Sequence, residues 1–89
     1  MSLSVMTSEW SYIANDITLF VLRHREQDSP AFKSAASTSP IALFNLWNDE
    51  RGIAVYYTEL ALWCVNYIQL CARMPLHRLR KAAHIDGLI

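Results

Sequence analysis

Five side chains in this sequence have the chemistry of soft metal ligands or nucleophiles: Cys64, Cys71, His24, His77 and His84. Zinc sites are built from ligand pairs at C-x2–4-C or H-x3–5-H spacing, which lets two donors of one local segment reach the same ion. The pairs here, Cys64/Cys71 and His77/His84, are each seven residues apart, so they do not chelate locally and no metal is expected. A disulfide between the cysteines is excluded in the same way. On one helix they stand about 10.5 Å apart along the axis, beyond the Cα separation a disulfide spans. Two buried, reduced thiols fit a reducing compartment. The N-terminus shows no basic segment followed by an apolar one, so the expectation is a cytoplasmic protein.

Catalysis finds equally little. With only Gly52 and Gly87 there is no phosphate-cradling glycine loop, no nucleophile elbow and no H-E-x-x-H pair. His24, at the end of an apolar seam, reads as a boundary histidine with its ring packed and one nitrogen wet. No catalytic residue and no cofactor is assigned, and the chain is expected not to be an enzyme.

Two surface features remain. Arg73, Arg78, Arg80 and Lys81 give the C-terminal end a basic face that could meet phosphates, and the Arg73–Pro75 turn loosely follows a helix-turn-helix. The turn has proline where glycine is usual, the helix before it is too long, and the exposed face has no Asn or Gln to read adenine. A solvated basic face is the commoner meaning of such a run. Charge is nevertheless uneven. Eight basic and eight acidic residues cancel overall, but residues 1–52 carry four basic against six acidic, and 53–89 four against two.

The other feature is apolar. Tyr56, Trp63 and Leu70, spaced by seven, lie on one flank of the most apolar segment, and Tyr and Trp are the types most enriched at interface hot spots. They are the expected protein interface. The alternative is ordinary core facing the neighbouring helices.

The elements that must position these residues are all helical in pattern. Ile53, Tyr57, Leu60, Cys64, Tyr67, Cys71 and Met74 alternate spacings of four and three, the seam of a helix over 49–73, capped by Asn48 or Asp49. Its polar residues, Arg51, Thr58, Glu59, Asn66, Gln69 and Arg73, share an arc of roughly 80° to 100°. The remaining apolar span of roughly 220° is wider than a surface helix needs, which suggests cover by a second copy of the chain. A membrane span over Ile53–Cys71 is the rival reading. Glu59, Asn66 and Gln69 oppose it, since a central charge costs roughly 2.5–3.5 kcal/mol on insertion.

A first helix over about 8–27, capped by Thr7 or Ser8 with Glu9 in its first turn, presents Trp10, Ile13, Ile17, Phe20 and His24. Tyr12, Leu19 and Leu22 fall on its other side as a second contact surface. A Ser/Pro/Ala-rich connector covers 28–39, with Ser29-Pro30 able to open one or two helical turns through Ala36; Ser34–Ser39 should be its most mobile part. Ser39-Pro40 opens a short helix over 40–47 with Ile41, Leu43, Phe44 and Trp47 buried. Gly52 falls in the first turn of the long helix. A last helix over 75–86 ends at Gly87.

Of the 89 residues, 53% are apolar and 18% charged, against a usual charged share of about 25%. The fold class is therefore all-α: one domain, a small four-helix bundle with one short helix, arranged around the long central helix, with the first helix antiparallel to it. The function this implies is a small non-enzymatic interaction module, a homodimeric regulator or adaptor with itself and another protein as partners. The alternative is a dimeric nucleic-acid-binding regulator using the basic last helix.

Overall fold

The computed structural model describes residues 3–53, 55 and 58–85, and the side chains of 8–53, 55 and 58–83. Five helices and no strand occur among them: α1 (Leu3–Glu26), α2 (Pro30–Thr38), α3 (Pro40–Arg51), α4 (Thr58–Arg73) and α5 (Leu76–Ile85). The radius of gyration is 12.7 Å, close to the roughly 12 Å of a compact chain this long. The all-helical expectation holds, but the elements differ in number, length and direction.

α1 begins at Leu3, not at Thr7 or Ser8. Leu3, Val5 and Met6 disturb a helix little, so the chain runs through the hydroxyl residues rather than starting at them, and Glu9 falls outside the first turn. The helix ends where Asp28 adopts a left-handed φ of 56°. Ser29 N–H then donates to His24 O at 2.9 Å and Asp28 N–H to Arg25 O at 3.2 Å, the paired bonds of a Schellman end.

The connector is itself helical. Ser29 Oγ accepts from Phe32 N–H and Pro30 follows in the first turn, launching α2 through Thr38, longer than the one or two turns expected. Ser37 and Thr38 donate their hydroxyls back to Ser34 O at 2.9 Å each, so the stretch expected to be loop is closed into the helix. Ser39 then serves two helices. Its N–H donates to Ala35 O at the end of α2, and its Oγ accepts from Ala42 N–H at the start of α3.

The largest correction concerns the helix expected over 49–73. It is two elements. α3 continues through Trp47 to Arg51, and Gly52, with φ 64°, is its left-handed C-cap, donating to Asn48 O at 2.8 Å. A left-handed residue ends a helix and costs an L side chain about 1–2 kcal/mol, which is why glycine sits there. Ile53 and Val55, outside any helix, pack against the core, and α4 is described from Thr58. The helix over 40–47 is correspondingly four residues longer. Pro75 separates α4 from α5 as expected, and its carbonyl accepts from Arg78 and Leu79 N–H. Gly87 lies outside the described residues.

Direction is the second correction. Along α1, Trp10 meets Trp63 and Tyr67, Thr18 meets Tyr67, and Arg25 meets Cys71 and Met74. Both series ascend, so α1 and α4 run parallel. Two helices intervene, and their return path places α4 alongside α1 in the same sense, whereas the antiparallel expectation treated the two as joined by a short connection.

α1 is thus as central as α4. It packs on α4 and α5, while α3 packs on α4 and α2. The core holds Ile13, Ile17, Phe20, Val21 and Leu22 of α1, Phe32, Leu43 and Trp47, Leu60, Cys64, Ile68 and Cys71 of α4, and Leu79 and Ala83 of α5. Leu22 is therefore core, not contact surface, because α5 lies over that side of α1. Tyr12 does stand in solvent, whereas Leu19 is half-buried. Ile41, expected inside, is 60% exposed.

Among the described residues no helix is long and apolar enough to cross a membrane.

Candidate functional site: an aromatic groove between α1 and α4

The parallel pairing of α1 and α4 brings three aromatic rings together at one end. Trp10 projects from the second turn of α1, and Trp63 and Tyr67, one turn apart, project from α4. Trp10 meets Trp63 edge-on with ring centroids 5.6 Å apart and an interplanar angle of 80°. It meets Tyr67 in the same way at 5.3 Å and 76°. Edge-to-face pairs of this kind add about 0.5–1.5 kcal/mol beyond the area they bury.

Tyr67 is anchored at its polar end. Its hydroxyl lies 3.0 Å from Thr18 Oγ1, and Thr18, fully buried, donates to Ala14 O at 2.8 Å. A buried hydroxyl without a partner is costly, so this pair fixes the tyrosine ring as one wall. Beside it opens a groove of about 520 Å³ lined by Trp10, Trp63, Asn66, Tyr67 and Leu70. Trp63 is 39% and Leu70 56% exposed. The lining is mostly apolar, with the Asn66 amide among its polar groups. An arrangement of this kind can take up apolar side chains; it holds no nucleophile and no base.

Two of the three residues expected at an interface, Trp63 and Leu70, therefore line one surface, while Tyr56 lies outside the described residues. Trp10 and Tyr67 were expected as seam residues of their own helices. Their role as groove walls depends on the α1–α4 direction, which no local pattern carries. Leu62, at 57% exposure, lies on the same exposed side of α4, two turns before Leu70.

The thiols lie beneath this site. Cys64 and Cys71 are both free and buried. Burial pushes the Cys64 thiol up to about 11 from an ordinary 9.0. Burial also raises Cys71, opposed by hydrogen bonds from Tyr67 and Thr18 and by the Arg25 charge. Thiols held protonated are poor nucleophiles. A pH dependence follows. The folded pKa of Cys64 lies above the unfolded one, so its contribution to stability is complete below pH 9 and is lost as pH rises towards about 11. Urea unfolding at pH 8 and pH 10.5 should show this loss, and Cys64→Ala should lose less over the same interval. An equal loss in both proteins would show that Cys64 does not contribute to it.

Among the described residues no group of three or more His, Cys, Asp or Glu is placed to hold a metal ion. His24 is packed, with its ring stacked on Phe32 at 5.7 Å and tilted against Phe20. Its Nε2 lies 3.1 Å from Glu50 Oε1, and its Nδ1 is buried without a hydrogen-bond partner among the described residues.

On the basic face, Arg73, Arg78, Arg80 and Lys81 are all exposed. Arg80 is committed within the fold, its Nε 2.7 Å from Glu26 Oε2, which ties α5 to the end of α1.

Comparison with known proteins adds no relative. No family model, no curated protein and no solved structure matches this chain. The functional reading therefore rests on the groove and its surroundings.

Proposed function

We propose that the protein is a small non-enzymatic helical interaction module of the cytoplasm, a homodimeric regulator or adaptor that self-associates through the exposed apolar face of α4. One observation carries this reading. Trp63 and Leu70 stay 39% and 56% exposed on a helix whose other side supplies four core residues. Scattered surface leucines need no explanation, but a tryptophan and a leucine bordering one apolar groove form a contiguous patch of the kind that marks contact sites. An aromatic anchor beside an apolar pocket is the arrangement in which interface energy concentrates.

The test is molar mass in solution, by size-exclusion chromatography with light scattering. The wild type should run as a dimer of the 10.2 kDa chain, and Trp63→Asp as a folded monomer by circular dichroism. Leu70→Glu, at a more exposed position, should give the same result with less risk to the fold. A monomeric wild type at high micromolar concentration would overturn the proposal.

The nucleic-acid reading through Arg73, Arg78, Arg80 and Lys81 is supported less, because Arg80 already has a carboxylate partner. It requires duplex DNA affinity that falls steeply with salt, and absence of binding at low salt removes it.

A further inference from the structure

The exposed face of α4 is palindromic in hydropathy and inverts in charge about its centre, and we infer from this that the second copy docks antiparallel, α4 against α4, about a two-fold axis passing through Asn66. The inference rests on the self-association proposed above and adds to it the partner helix, its direction and its register.

The pattern is Glu59, Leu62, Asn66, Leu70 and Arg73, spaced three, four, four and three. At about 100° per residue these five fall within an arc of roughly 80°, one narrow stripe, and all five are exposed. Leu62 and Leu70, at 57% and 56%, are the large apolar residues of that stripe. Spacings of three and four repeated along one stripe make the seam along which two helices pack.

The symmetry of the stripe selects the direction. Asn66 is its centre, with Leu62 and Leu70 four residues to either side and Glu59 and Arg73 seven residues to either side, about 10.5 Å along the axis. In an antiparallel pair centred on Asn66, Leu62 of each copy meets Leu70 of the other and Glu59 of each meets Arg73 of the other. Every apolar group faces an apolar group and every charge faces its opposite. A parallel pair would place Glu59 against Glu59 and Arg73 against Arg73, and like charges in that position are destabilising. Among the described residues neither Glu59 nor Arg73 is engaged in an ion pair, whereas Arg80 and Arg51 are. The Asn66 amides meet at the axis, each able to donate to and accept from the other. A polar residue at one seam position is a known way of fixing register.

Disulfide trapping tests this directly, because residues at a two-fold axis meet their own copies and residues far from it do not. Asn66→Cys should form a disulfide-linked dimer under mild oxidation. Glu59→Cys should not, since the two copies of residue 59 would be about 21 Å apart along the axis. Both positions are exposed, so neither variant threatens the fold, and the native thiols are buried. In parallel, Glu59→Arg and Arg73→Glu should each raise the dimer dissociation constant, by roughly tenfold for two new like-charge contacts, and the double variant should restore it. A wild-type dimer in which Glu59→Cys links and Asn66→Cys does not would overturn the antiparallel register. A dimer indifferent to both charge reversals and to both cysteines would do the same while leaving self-association intact. A monomeric wild type would overturn both.

Discussion

Replacing Trp47 with alanine should lower the free energy of unfolding by about 3–5 kcal/mol, the range for truncating a buried aromatic residue. A chain of 89 residues has roughly 4–13 kcal/mol in total at the usual 0.05–0.15 kcal/mol per residue, so this one change removes a large share. Trp47 is the largest fully buried side chain, and it links helices through its polar end as well as its ring. Its Nε1 donates to Asp16 Oδ2 at 2.8 Å. Asp16, with its side chain 12% exposed, also receives Arg51 through Nη2 at 2.8 Å and Nε at 3.0 Å. One carboxylate of α1 thus collects the indole and the guanidinium that α3 presents one turn apart. Trp47→Phe separates the two contributions, since it keeps most of the apolar volume and strips the donor. It should cost less than Trp47→Ala but more than about 1.5 kcal/mol, the lower end for a hydrogen bond to a charged group. Asp16→Ala should match or exceed the phenylalanine change, because it also releases Arg51. Urea denaturation of the three variants measures all of this. Trp47→Phe at wild-type stability would show that the indole–carboxylate bond contributes nothing net.

How much of this was legible follows from the range of each signal. The two Ser-Pro starts at Ser29 and Ser39 are readable because a cap is a contact between a side chain and an amide three residues on. Periodicity places Gly52 in the first turn of a long helix, whereas it ends α3. The apolar residues after it, Ile53, Tyr57 and Leu60, continue in phase with the α4 seam, so periodicity alone runs through a break that one left-handed residue makes. Asn48 and Asp49 looked like caps, yet they lie within α3, where Asn48 O receives the Gly52 N–H. The apolar surplus on α4 was visible as an arc wider than one partner covers, and it led to Trp63 and Leu70. Trp10 could not be added to them, because its place depends on α4 running parallel to α1. The Asp16–Trp47 bond joins residues 31 apart, and no local pattern announces an acceptor at that distance. The Glu59–Arg73 symmetry, by contrast, lies within one helix and was present in the sequence. It acquires meaning only once those residues are known to share an exposed face.

Arg25 shows the same division of local and distant information, and its substitution should have the second large effect. In sequence it is one of three basic residues in the last turn of α1, placed to interact favourably with the dipole of its own helix. In the structure its Nη1 crosses to the end of α4 and donates to Cys71 O, at 3.0 Å, and to Met74 O. The last carbonyls of a helix have no partners within it, and Met74 is followed by Pro75, which has no N–H to offer. Arg25 fills that deficit from another helix. Arg25→Met keeps much of the aliphatic stem, takes the guanidinium from Met74 O and leaves Cys71 O with the 3.3 Å bond from Met74 N–H. With charge-assisted bonds contributing about 1.5–3 kcal/mol, the variant should lose about 2–3 kcal/mol, or roughly 8–24 °C in Tm for a domain of this size. Arg25→Lys should recover part of the loss, since an ammonium can reach one carbonyl but lacks the planar fork. The loss should also change little between 0.05 and 0.5 M salt. The arginine acts here as a hydrogen-bond donor to neutral carbonyls, whereas an ion pair on the surface would be screened. A loss that vanished at high salt would assign Arg25 to long-range charge compensation instead. A Tm unchanged in Arg25→Met would mean that the end of α4 does not need its cap.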